Sequence, residues 1–503
     1  MASDDQAVAQ ALAEGRPAFV WRRQIADVHT PVGAALALIE PGRGDFLLES
    51  VEGGQTRGRH SLIGLAPDLV FRAVGDTAEI NRNWLHDRDD FIPAGPAIAA
   101  LRTLVGECRA DVPAELPPAL ACLVGYFGYE TFGLIENLPR PPANPLALPD
   151  MLFVRPTLIL VFDRLTDELF LIAPLWPGDG AADPAARIAD ARERIDAAAA
   201  RLAARGDTAA RTAPPAVTDL SVTPHLAPGQ YRDMVVRAQD YIRAGDIFQV
   251  VLAQRFTAPF PLPPFDLYRA LRRINPSPFL YFLDLPGFAL TGSSPEILVR
   301  ARGGEVTIRP IAGTRPRGRT ATEDAENRDS LLADPKERAE HLMLLDLGRN
   351  DVGRVAAPGS VRVTDSYTIE FYSHVMHIVS NVVGRLADGR DALDALFAGF
   401  PAGTVSGAPK VRACEIIAEL EPETRGAYAG GVGYFSADGS MDSCIVLRTA
   451  VVKDGQMHVQ AGAGIVADSD PAAEQRECEA KSGALFAAAR EALVRALDPG
   501  FGQ

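Results

Sequence analysis

Two helix starts with the same pattern constrain the fold of this chain more than any other feature of its sequence. Each has an Asp-Pro pair followed by two glutamates three residues apart: Asp334-Pro335 with Glu337 and Glu340, and Asp470-Pro471 with Glu474 and Glu477. An Asp before a Pro predicts an N-cap followed by the first helical residue, because proline lacks only an N–H that the first turn leaves unpaired. The helix phase is therefore fixed, and both glutamates of a pair lie on one face.

Two such helices meeting at their N-termini would present four carboxylates to a single cation. Oxygen ligands favour Mg2+ or Ca2+ over zinc, so each pattern is consistent with one half of a metal site. The alternative is that the acidic residues only complement the positive end of the helix dipole. Lys481 follows Glu477 by four residues on the same face. This pair either faces a bound anion or forms an ordinary surface ion pair.

The composition excludes several classes of protein. With 503 residues, 47% of them apolar, the chain is long enough for two domains or one large composite domain. A formal net charge of -15 argues against nucleic-acid binding. We expect a cytoplasmic protein, because no apolar run reaches the roughly 18 to 20 residues of a membrane span and no secretory signal is visible. Five scattered cysteines predict neither a disulfide framework nor a zinc site.

The pattern of apolar runs predicts two regions. From residue 1 to about 220, short apolar runs, including 34–39, predict a sheet-rich region that ends in a helix at 184–205 and a linker at 206–217. From 221 to 496, strand-like segments alternate with helices. The predicted strands are 249–256, 279–285, 305–311, 360–363, 380–386, 443–452 and 456–460, and the helices are 334–347, 391–398, 408–420 and 471–495. The tight turn Lys453-Asp454-Gly455 between the last two strands predicts a hairpin. This is a mixed α/β chain of the α+β type with much antiparallel pairing.

Two Gly- and Pro-rich segments are candidate anion sites. Segment 309–318 has arginines on either side of Gly313 and is either an anion-binding loop or a solvated turn. Segment 401–410 places hydroxyl groups before a helix and is either an anion site or plain capping. His374 and His377 are three residues apart, so on a strand at most one of them faces a given cleft.

Taken in order along the chain, these motifs resemble the chorismate-utilising enzymes, and most closely the anthranilate synthase component I group. The similar segments are 246–251, 275–278, 294–296, 310–318, 340–351, 375–377, 401–410, 462–464 and the terminal glutamates with Lys481; a thinner similarity covers 47–50, Arg59 with Ser61, and 125–130. The resemblance implies large, mostly antiparallel sheets packed in a sandwich with flanking helices. It also implies an N-terminal region with a regulatory motif (1–220) and a chorismate-binding catalytic domain (221–496).

The resemblance implies a Mg2+ site and a set of substrate contacts. Mg2+ would be held mainly by Glu340 and Glu477, with Glu337 and Glu474 beside them. Chorismate is a dianion, so the metal and nearby cationic side chains would offset the repulsion from an acidic protein. The residues implied to contact the substrate are Gly313, Thr314, Thr404, Tyr428, Arg448, Gly462, Gly464 and Lys481.

The resemblance also implies catalytic roles. Glu296 is the expected general acid for the departing C4 hydroxyl as ammonia adds at C2, which requires a carboxyl that stays protonated near neutral pH. His377 is expected to act when pyruvate is eliminated. Gln249 stands where water-adding relatives have a lysine base, and Ala312 stands where many aminodeoxychorismate synthases have a nucleophilic lysine. The resemblance therefore favours anthranilate as the product, in the first committed step of tryptophan biosynthesis.

Feedback inhibition by tryptophan and a partner subunit are further expectations. The residues that resemble the family's tryptophan pocket are Leu48, Glu49, Ser50, Asn275, Pro276, Ser277, Pro278, Leu280, Val432 and Tyr434. A small apolar cleft with one carboxylate, that of Glu49, for the amino group is physically suited to this ligand. His60 departs from the lysine of some members. We expect ammonia from a separate glutamine amidotransferase subunit (component II), in a heterotetramer of two large and two small subunits. The alternatives are aminodeoxychorismate synthase component I and a non-catalytic, tryptophan-sensing homologue.

Overall fold

A computed structural model describes most of the chain. The described residues are 2–52, 56–118, 120–141, 143–178, 183–204, 220–372 and 375–496. The predicted linker 206–217 and His374 lie outside the described residues. Within these ranges, no helix has both the length and the apolar character needed to span a bilayer.

The elements of the first 204 residues are mostly strands. In chain order they are α1 (Asp5–Ala13), β1 (Ala18–Ile25), α2 (Pro31–Leu38), β2 (Phe46–Glu52), β3 (Thr56–Val74), β4 (Thr77–Asn81), β5 (Ile92–Gly95), α3 (Ala97–Glu107), β6 (Ala121–Phe127), β7 (Met151–Asp163), β8 (Glu168–Leu175) and α4 (Pro184–Ala203). A 3-10 turn at Tyr129–Leu134 follows β6.

Strands and helices alternate in the rest of the chain. In chain order they are β9 (Thr223–Pro224), α5 (Gln230–Ala244), β10 (Gln249–Pro259), α6 (Pro264–Ile274), β11 (Phe279–Leu285), β12 (Phe288–Ser294), β13 (Ile297–Arg302), β14 (Glu305–Ile308), β15 (Ile311–Pro316), α7 (Ala321–Ala333), α8 (Pro335–Gly353), β16 (Arg362–Phe371), β17 (Val375–Arg385), α9 (Ala392–Gly399), β18 (Gly407–Ala408), α10 (Lys410–Leu420), β19 (Gly431–Ser436), β20 (Met441–Ile445), β21 (Thr449–Lys453), β22 (Gln456–Ile465) and α11 (Pro471–Arg495). A 3-10 turn at Gly403–Val405 precedes β18.

The strands form two long antiparallel series that meet at β7. One series runs β1, β8, β7, β3, β2, β11, β12, β21, β22, β10. The other leaves β7 through β6 and runs β19, β20, β13, β14, β17. This confirms the predicted fold class. Because β2 pairs with β11 and β6 with β19, strands from either side of residue 220 share one hydrogen-bonded network; the boundary itself stays a prediction.

Both Asp-Pro helix starts are confirmed. The Asp334 carboxylate accepts hydrogen bonds from the backbone N–H groups of Lys336 at 2.9 Å and Glu337 at 3.3 Å. Asp470 accepts from the N–H of Ala473 at 2.7 Å. Such caps each stabilise a helix by about 1 kcal/mol. They also fix which residues of α8 and α11 share a helix face.

Three predictions of secondary structure are wrong, each for a local reason. The apolar run 34–39 lies mostly in helix α2, because Thr30 caps a helix that starts at Pro31. The predicted strand 305–311 is divided between β14 and β15, which pair with different parts of β17. The predicted strand 443–452 is interrupted between β20 and β21, where Arg448 adopts a φ of +49°.

Candidate active site

One cavity of about 640 Å³ collects every residue predicted to act in catalysis, substrate binding or metal binding. Its walls come from the start of β10, the two-residue connection between β12 and β13, β15, β17, the 3-10 turn before β18, and the end of β22. The first two turns of α8 and of α11 bring the four glutamates to the same cavity. The fold therefore unites groups that lie far apart in the sequence.

The four glutamates do not close around a single point. Burial raises the pKa of Glu340, and the negative charge of the neighbouring Glu337 raises it further. Burial also raises the pKa of Glu474. Arg315 donates to Glu337 at 3.1 Å, and Lys481 lies 2.6 Å from Glu477. Among the described residues, no three acidic, histidine or cysteine side chains are close enough to hold a metal ion by themselves. The four-carboxylate cage is therefore not formed.

The donor set nevertheless suits Mg2+. This ion keeps several water ligands and is commonly held by one or two protein carboxylates together with oxygens of the substrate. Glu340 and Glu477 come from different helices and face the same cavity. All the candidate ligand atoms are carboxylate oxygens, which favours a hard divalent cation. Two protein ligands with room for a substrate carboxylate are consistent with this chemistry.

The cationic side chains of Lys481 and Arg448 both line the cavity. Lys481 Nζ donates to the carbonyl oxygen of Gly462 at 2.9 Å, which holds the ammonium group beside the end of β22. Arg448 lines the cavity in the strand interruption, and within the described residues its guanidinium makes no hydrogen bond or ion pair. Desolvation lowers the pKa of Arg448. A poorly solvated guanidinium without a partner favours an anionic ligand, since pairing offsets the desolvation penalty.

Glu296 has the properties of a general acid. It follows Pro295 in the connection between β12 and β13, and only 7% of its surface is exposed. Burial raises its pKa to about 8, and the hydrogen bond that Thr404 Oγ1 donates to Glu296 Oε2 at 3.0 Å acts in the opposite direction. The carboxyl is therefore largely protonated at neutral pH, as a group that gives a proton to a departing hydroxyl must be.

His377 is held as a neutral imidazole. Its Nδ1 lies 2.9 Å from the carbonyl oxygen of Gly313 and 3.2 Å from Thr314 Oγ1. Because a carbonyl oxygen only accepts, Nδ1 carries the proton and Nε2 is left with a free lone pair. Desolvation lowers the pKa of His377, and Tyr372 packs edge-on against its ring at 5.3 Å. The histidine is therefore available as a base.

Gln249 lines the cavity and contacts Glu340, one of the predicted metal ligands. Its side chain forms a hydrogen bond that lowers the pKa of Glu340, so the amide N–H is the donor to that carboxylate. Its Oε1 is buried without a hydrogen-bond partner in the described structure. A buried acceptor without a donor is costly unless a ligand supplies one. An N–H donor in the cavity would supply the missing hydrogen bond.

The arginine-rich segment 309–318 is neither a free anion site nor a solvated turn. Most of it forms β15, and three of its arginines are paired with carboxylates. Arg309 pairs with Glu370, Arg315 with Asp334 and Glu337, and Arg317 with Asp324. The segment instead contributes Gly313 and Thr314 to the cavity. The left-handed backbone at Gly313, with φ of +68°, brings it close to Glu337.

The residues predicted to bind tryptophan do not line one cavity. Asn275, Pro276 and Ser277 line the cavity of about 640 Å³, the candidate catalytic cavity, whereas Ser50 and Pro278 line a neighbouring cavity of about 840 Å³. The two cavities share Pro295, Ile311 and Tyr372 as wall residues. Of the others, Leu48 lies on β2, Leu280 on β11, and Val432 and Tyr434 on β19.

Glu49 requires a correction. Strand alternation turns its side chain away from that of Ser50. The carboxylate accepts hydrogen bonds from Tyr268 Oη at 2.6 Å, Arg272 Nε at 2.9 Å and Arg164 Nη2 at 2.8 Å. It is therefore saturated by protein groups and is not open to the amino group of a ligand, as the sequence interpretation required.

Sequence reasoning missed several wall residues of the catalytic cavity, among them Lys336, Leu344, Tyr372 and Leu447. Lys336 was detectable in principle, because the Asp-Pro start fixes its place in the first turn of α8. Leu344 follows Glu340 by one helical turn and shares its face. Tyr372 had no local signal, since its position depends on the pairing of β16 with β17.

Comparisons with known proteins agree with this geometry. Residues 46–487 match the family described as chorismate binding enzymes. The chain is 51% identical to anthranilate synthase component 1 of Cereibacter sphaeroides over 496 residues, covering 97% of each chain. It is 46% identical to the protein of that name from Thermus thermophilus, covering 92% of this chain and 96% of the relative.

Solved structures show the same fold. Anthranilate synthase component I from Streptococcus pneumoniae superposes with a TM-score of 0.76 at 35% identity, covering 92% of this chain and 99% of that one. The menaquinone-specific isochorismate synthase of Escherichia coli superposes with a TM-score of 0.70 at 19% identity, covering 96% and 99%. At that identity, the second likeness concerns the fold alone.

Proposed function

Because this chain belongs to the family of chorismate binding enzymes, we propose that it is the aminase subunit of an anthranilate synthase, a lyase that converts chorismate and ammonia to anthranilate and pyruvate. The observation that carries the proposal is the single cavity that holds a protonated carboxyl at Glu296, a neutral imidazole at His377 and an unpaired acceptor at Gln249. Relatives of the same name at 51% and 46% identity support it.

In the first step, ammonia adds at C2 of chorismate while the C4 hydroxyl leaves. Glu296 gives its proton to the departing oxygen, so that water leaves from C4 and both ring double bonds shift by one position. The ammonium group formed at C2 then gives up a proton, which returns the Glu296 carboxylate to its protonated form. Burial keeps Glu296 protonated for this role. The cations Lys481 and Arg448 hold the carboxylates of the substrate in place.

In the second step, the ring becomes aromatic. His377 Nε2 accepts the proton from C2, the bond from C3 to the enolpyruvyl oxygen breaks, and the side chain leaves as enolpyruvate, which becomes pyruvate. The hydrogen bond from Nδ1 to Gly313 fixes the tautomer that this base needs. When bound by Glu340 and Glu477, Mg2+ would supply positive charge for the ring carboxylate.

Two cavity residues favour ammonia over other nucleophiles. Gln249 has no basic group, so the cavity lacks a lysine that would activate water at this position. Ala312 lies in the wall of the same cavity and offers no amine to attack the ring. These two side chains disfavour both isochorismate formation and the aminodeoxychorismate synthase mechanism. Retention of Glu296, His377 and the four glutamates disfavours a non-catalytic sensor.

The proposal includes a partner, an inhibitor and a place in the cell. A glutamine amidotransferase subunit would supply ammonia, since the names of the relatives specify a first component. Tryptophan would inhibit through the cavity lined by Ser50 and Pro278, next to the catalytic cavity. The enzyme would work in the cytoplasm as part of tryptophan biosynthesis. A heterotetramer of two large and two small subunits stays a proposal.

The product of the purified chain tests the proposed reaction. We expect chorismate, Mg2+ and an ammonium salt to give anthranilate and pyruvate in equal amounts, because the cavity holds both the acid and the base. Anthranilate is followed by its fluorescence, and pyruvate by a coupled dehydrogenase assay. A reaction without ammonium is the control. Accumulation of isochorismate or 4-amino-4-deoxychorismate in place of anthranilate would contradict the assignment.

Replacement of Ser50 tests the proposed inhibitor site. We expect Ser50→Ala to raise the tryptophan concentration needed for half-inhibition by about tenfold, which corresponds to about 1.4 kcal/mol of binding free energy, without changing the uninhibited kcat. Ser50 lines the second cavity but not the catalytic one. Ser440→Ala, in the turn between β19 and β20, is the control. Unchanged inhibition in Ser50→Ala would move the inhibitor site elsewhere.

A further inference from the structure

Arg425 is a buried arginine outside the wall of the catalytic cavity that joins several elements around it. Its side chain is 1% exposed. Its guanidinium donates to both carboxylate oxygens of Glu421, at 2.9 and 2.6 Å. It also donates to the carbonyl oxygen of Val405 at 2.7 Å and to that of Val251 at 2.7 Å. A buried charge with four such hydrogen bonds holds each of its acceptors in a defined place.

The two carbonyl groups belong to segments that carry reaction residues. Val405 follows Thr404, whose hydroxyl donates to Glu296 at 3.0 Å. Val251 lies on β10, two residues after Gln249. The guanidinium also stacks near the ring of Tyr428, 5.6 Å from its centroid, on the substrate side of the cavity. Arg425 therefore connects three parts of the site: the turn that carries Thr404, the strand that carries Gln249, and Tyr428.

We propose that Arg425 is a positioning residue of this enzyme: it fixes the turn that holds Thr404 against Glu296 by joining Val405 to β10. The inference rests on the proposed function, in which Glu296 is the general acid. Arg425 acts through Thr404 and does not line the cavity itself. The far end of the same loop is fixed separately by the buried pair of Lys410 and Asp351 at 2.9 Å.

The site requires the shape of arginine and not only its charge. A guanidinium directs several donors in one plane and reaches three acceptor groups at once, whereas an ammonium is a point charge on a flexible chain. Glu421 compensates the charge and also accepts the N–H of Ala253 at 2.8 Å. Glu130 accepts the backbone N–H groups of Arg425 at 2.7 Å and Gly426 at 3.0 Å, which fixes the base of the side chain from the N-terminal region.

The test compares Arg425→Lys with Arg155→Lys. Arg155 is also buried, forms a two-point pair with Asp68 and lies near the ring of Trp176, but it lines neither cavity. We expect Arg425→Lys to lower kcat on the order of 10- to 100-fold with KM for chorismate changed by less than about threefold, because a small displacement of a catalytic contact has effects of this size. Arg155→Lys should leave both constants within about twofold.

The pH profile separates positioning from general destabilisation. The described groups that interact with the Glu296 carboxyl are the Thr404 hydroxyl from the turn and Tyr372, which follows β16; His377 from β17 lines the same cavity. Loss of the Thr404 hydrogen bond raises the pKa of Glu296, so the alkaline limb of kcat should move to higher pH in Arg425→Lys and in Thr404→Val. In the double variant the two shifts should not add, because both remove the same contact.

Two results would overturn the inference. One is an alkaline limb in Arg425→Lys that coincides with that of the unmodified enzyme; the other is a loss of kcat matched by Arg155→Lys. Thermal unfolding of each variant gives its folded fraction at the assay temperature, so that kcat is compared per folded molecule. If the unmodified chain forms no anthranilate at all, the proposed function fails instead, so the two failures are distinguishable.

Discussion

Glu296→Gln is expected to lower kcat by about 10²- to 10⁴-fold, the usual contribution of a general acid, while chorismate binding is retained. The amide has nearly the shape of the carboxyl and still accepts the hydrogen bond of Thr404, but it has no proton to give to the departing C4 oxygen. Steady-state kcat and the dissociation constant for chorismate, measured by calorimetry, separate the two effects. A large loss of binding with unchanged kcat would contradict the assigned role.

The same carboxyl predicts the direction of a pH effect. Its pKa of about 8 lies above the ordinary value of 4.5 because of burial. The protonated form is the active acid, so the contribution of Glu296 to kcat is fully present below the folded pKa, and kcat should fall as pH rises through about 8. The stability contribution has the same sign: it is present below pH 4.5 and is lost as pH rises towards 8. Over this pH range, Glu296→Gln should therefore lose less stability than the unmodified chain.

Asp284→Asn is the matched control for Glu296→Gln. Asp284 is another carboxyl whose pKa burial raises, to about 6, and it accepts the backbone N–H of Gly42 at 2.8 Å. It lines neither of the two cavities. Its replacement should change the pH dependence of thermal unfolding without changing kcat. An equal loss of kcat in both variants would indicate that loss of a buried carboxyl, and not loss of the acid, lowers the rate.

The sequence predicted those parts of the fold and site that depend on local chemistry. The Asp-Pro pairs fixed the phase of α8 and α11, so the helix faces that carry Glu340 and Glu477 follow from the sequence alone. The turn Lys453-Asp454-Gly455 specified the hairpin of β21 and β22, since Asp454 and Gly455 take the left-handed conformation that such a turn needs. Each of these signals is contained in a few neighbouring residues and so does not depend on the rest of the fold.

Other features depend on long-range packing and had no local signal. The apolar pattern of 443–452 matched a continuous strand, but the turn at Arg448 interrupts it and places a guanidinium in the cavity. Glu49 looked free for a ligand, but the fold brings Arg164 and Arg272 against it from distant parts of the chain. The sequence around Arg425 carries no signal for its role, because the carbonyl groups that it binds lie on other elements.

The second large effect is expected for Glu340→Gln, which should lower Mg2+-dependent kcat by about 100-fold and raise the Mg2+ concentration needed for half-maximal activity. An amide is a weaker, neutral ligand, and the change leaves the positive charge of the ion less compensated. Glu340 is implied as a direct ligand, and Gln249 hydrogen-bonds to it. Chelation of Mg2+ should abolish the activity of the unmodified chain but affect Glu340→Gln much less in absolute terms.

A binding readout makes this prediction independent of turnover. A ligand that binds only the folded state raises the unfolding temperature, so Mg2+ should stabilise the unmodified chain and stabilise Glu340→Gln less. Asp346→Asn is the control on the same helix, because Asp346 is exposed and pairs only with Arg349 among the described residues. Its response to Mg2+ should equal that of the unmodified chain. If Glu340→Gln keeps full activity and the full Mg2+-induced stabilisation, Glu340 is not a ligand, and the two helix starts meet at this cavity for another reason.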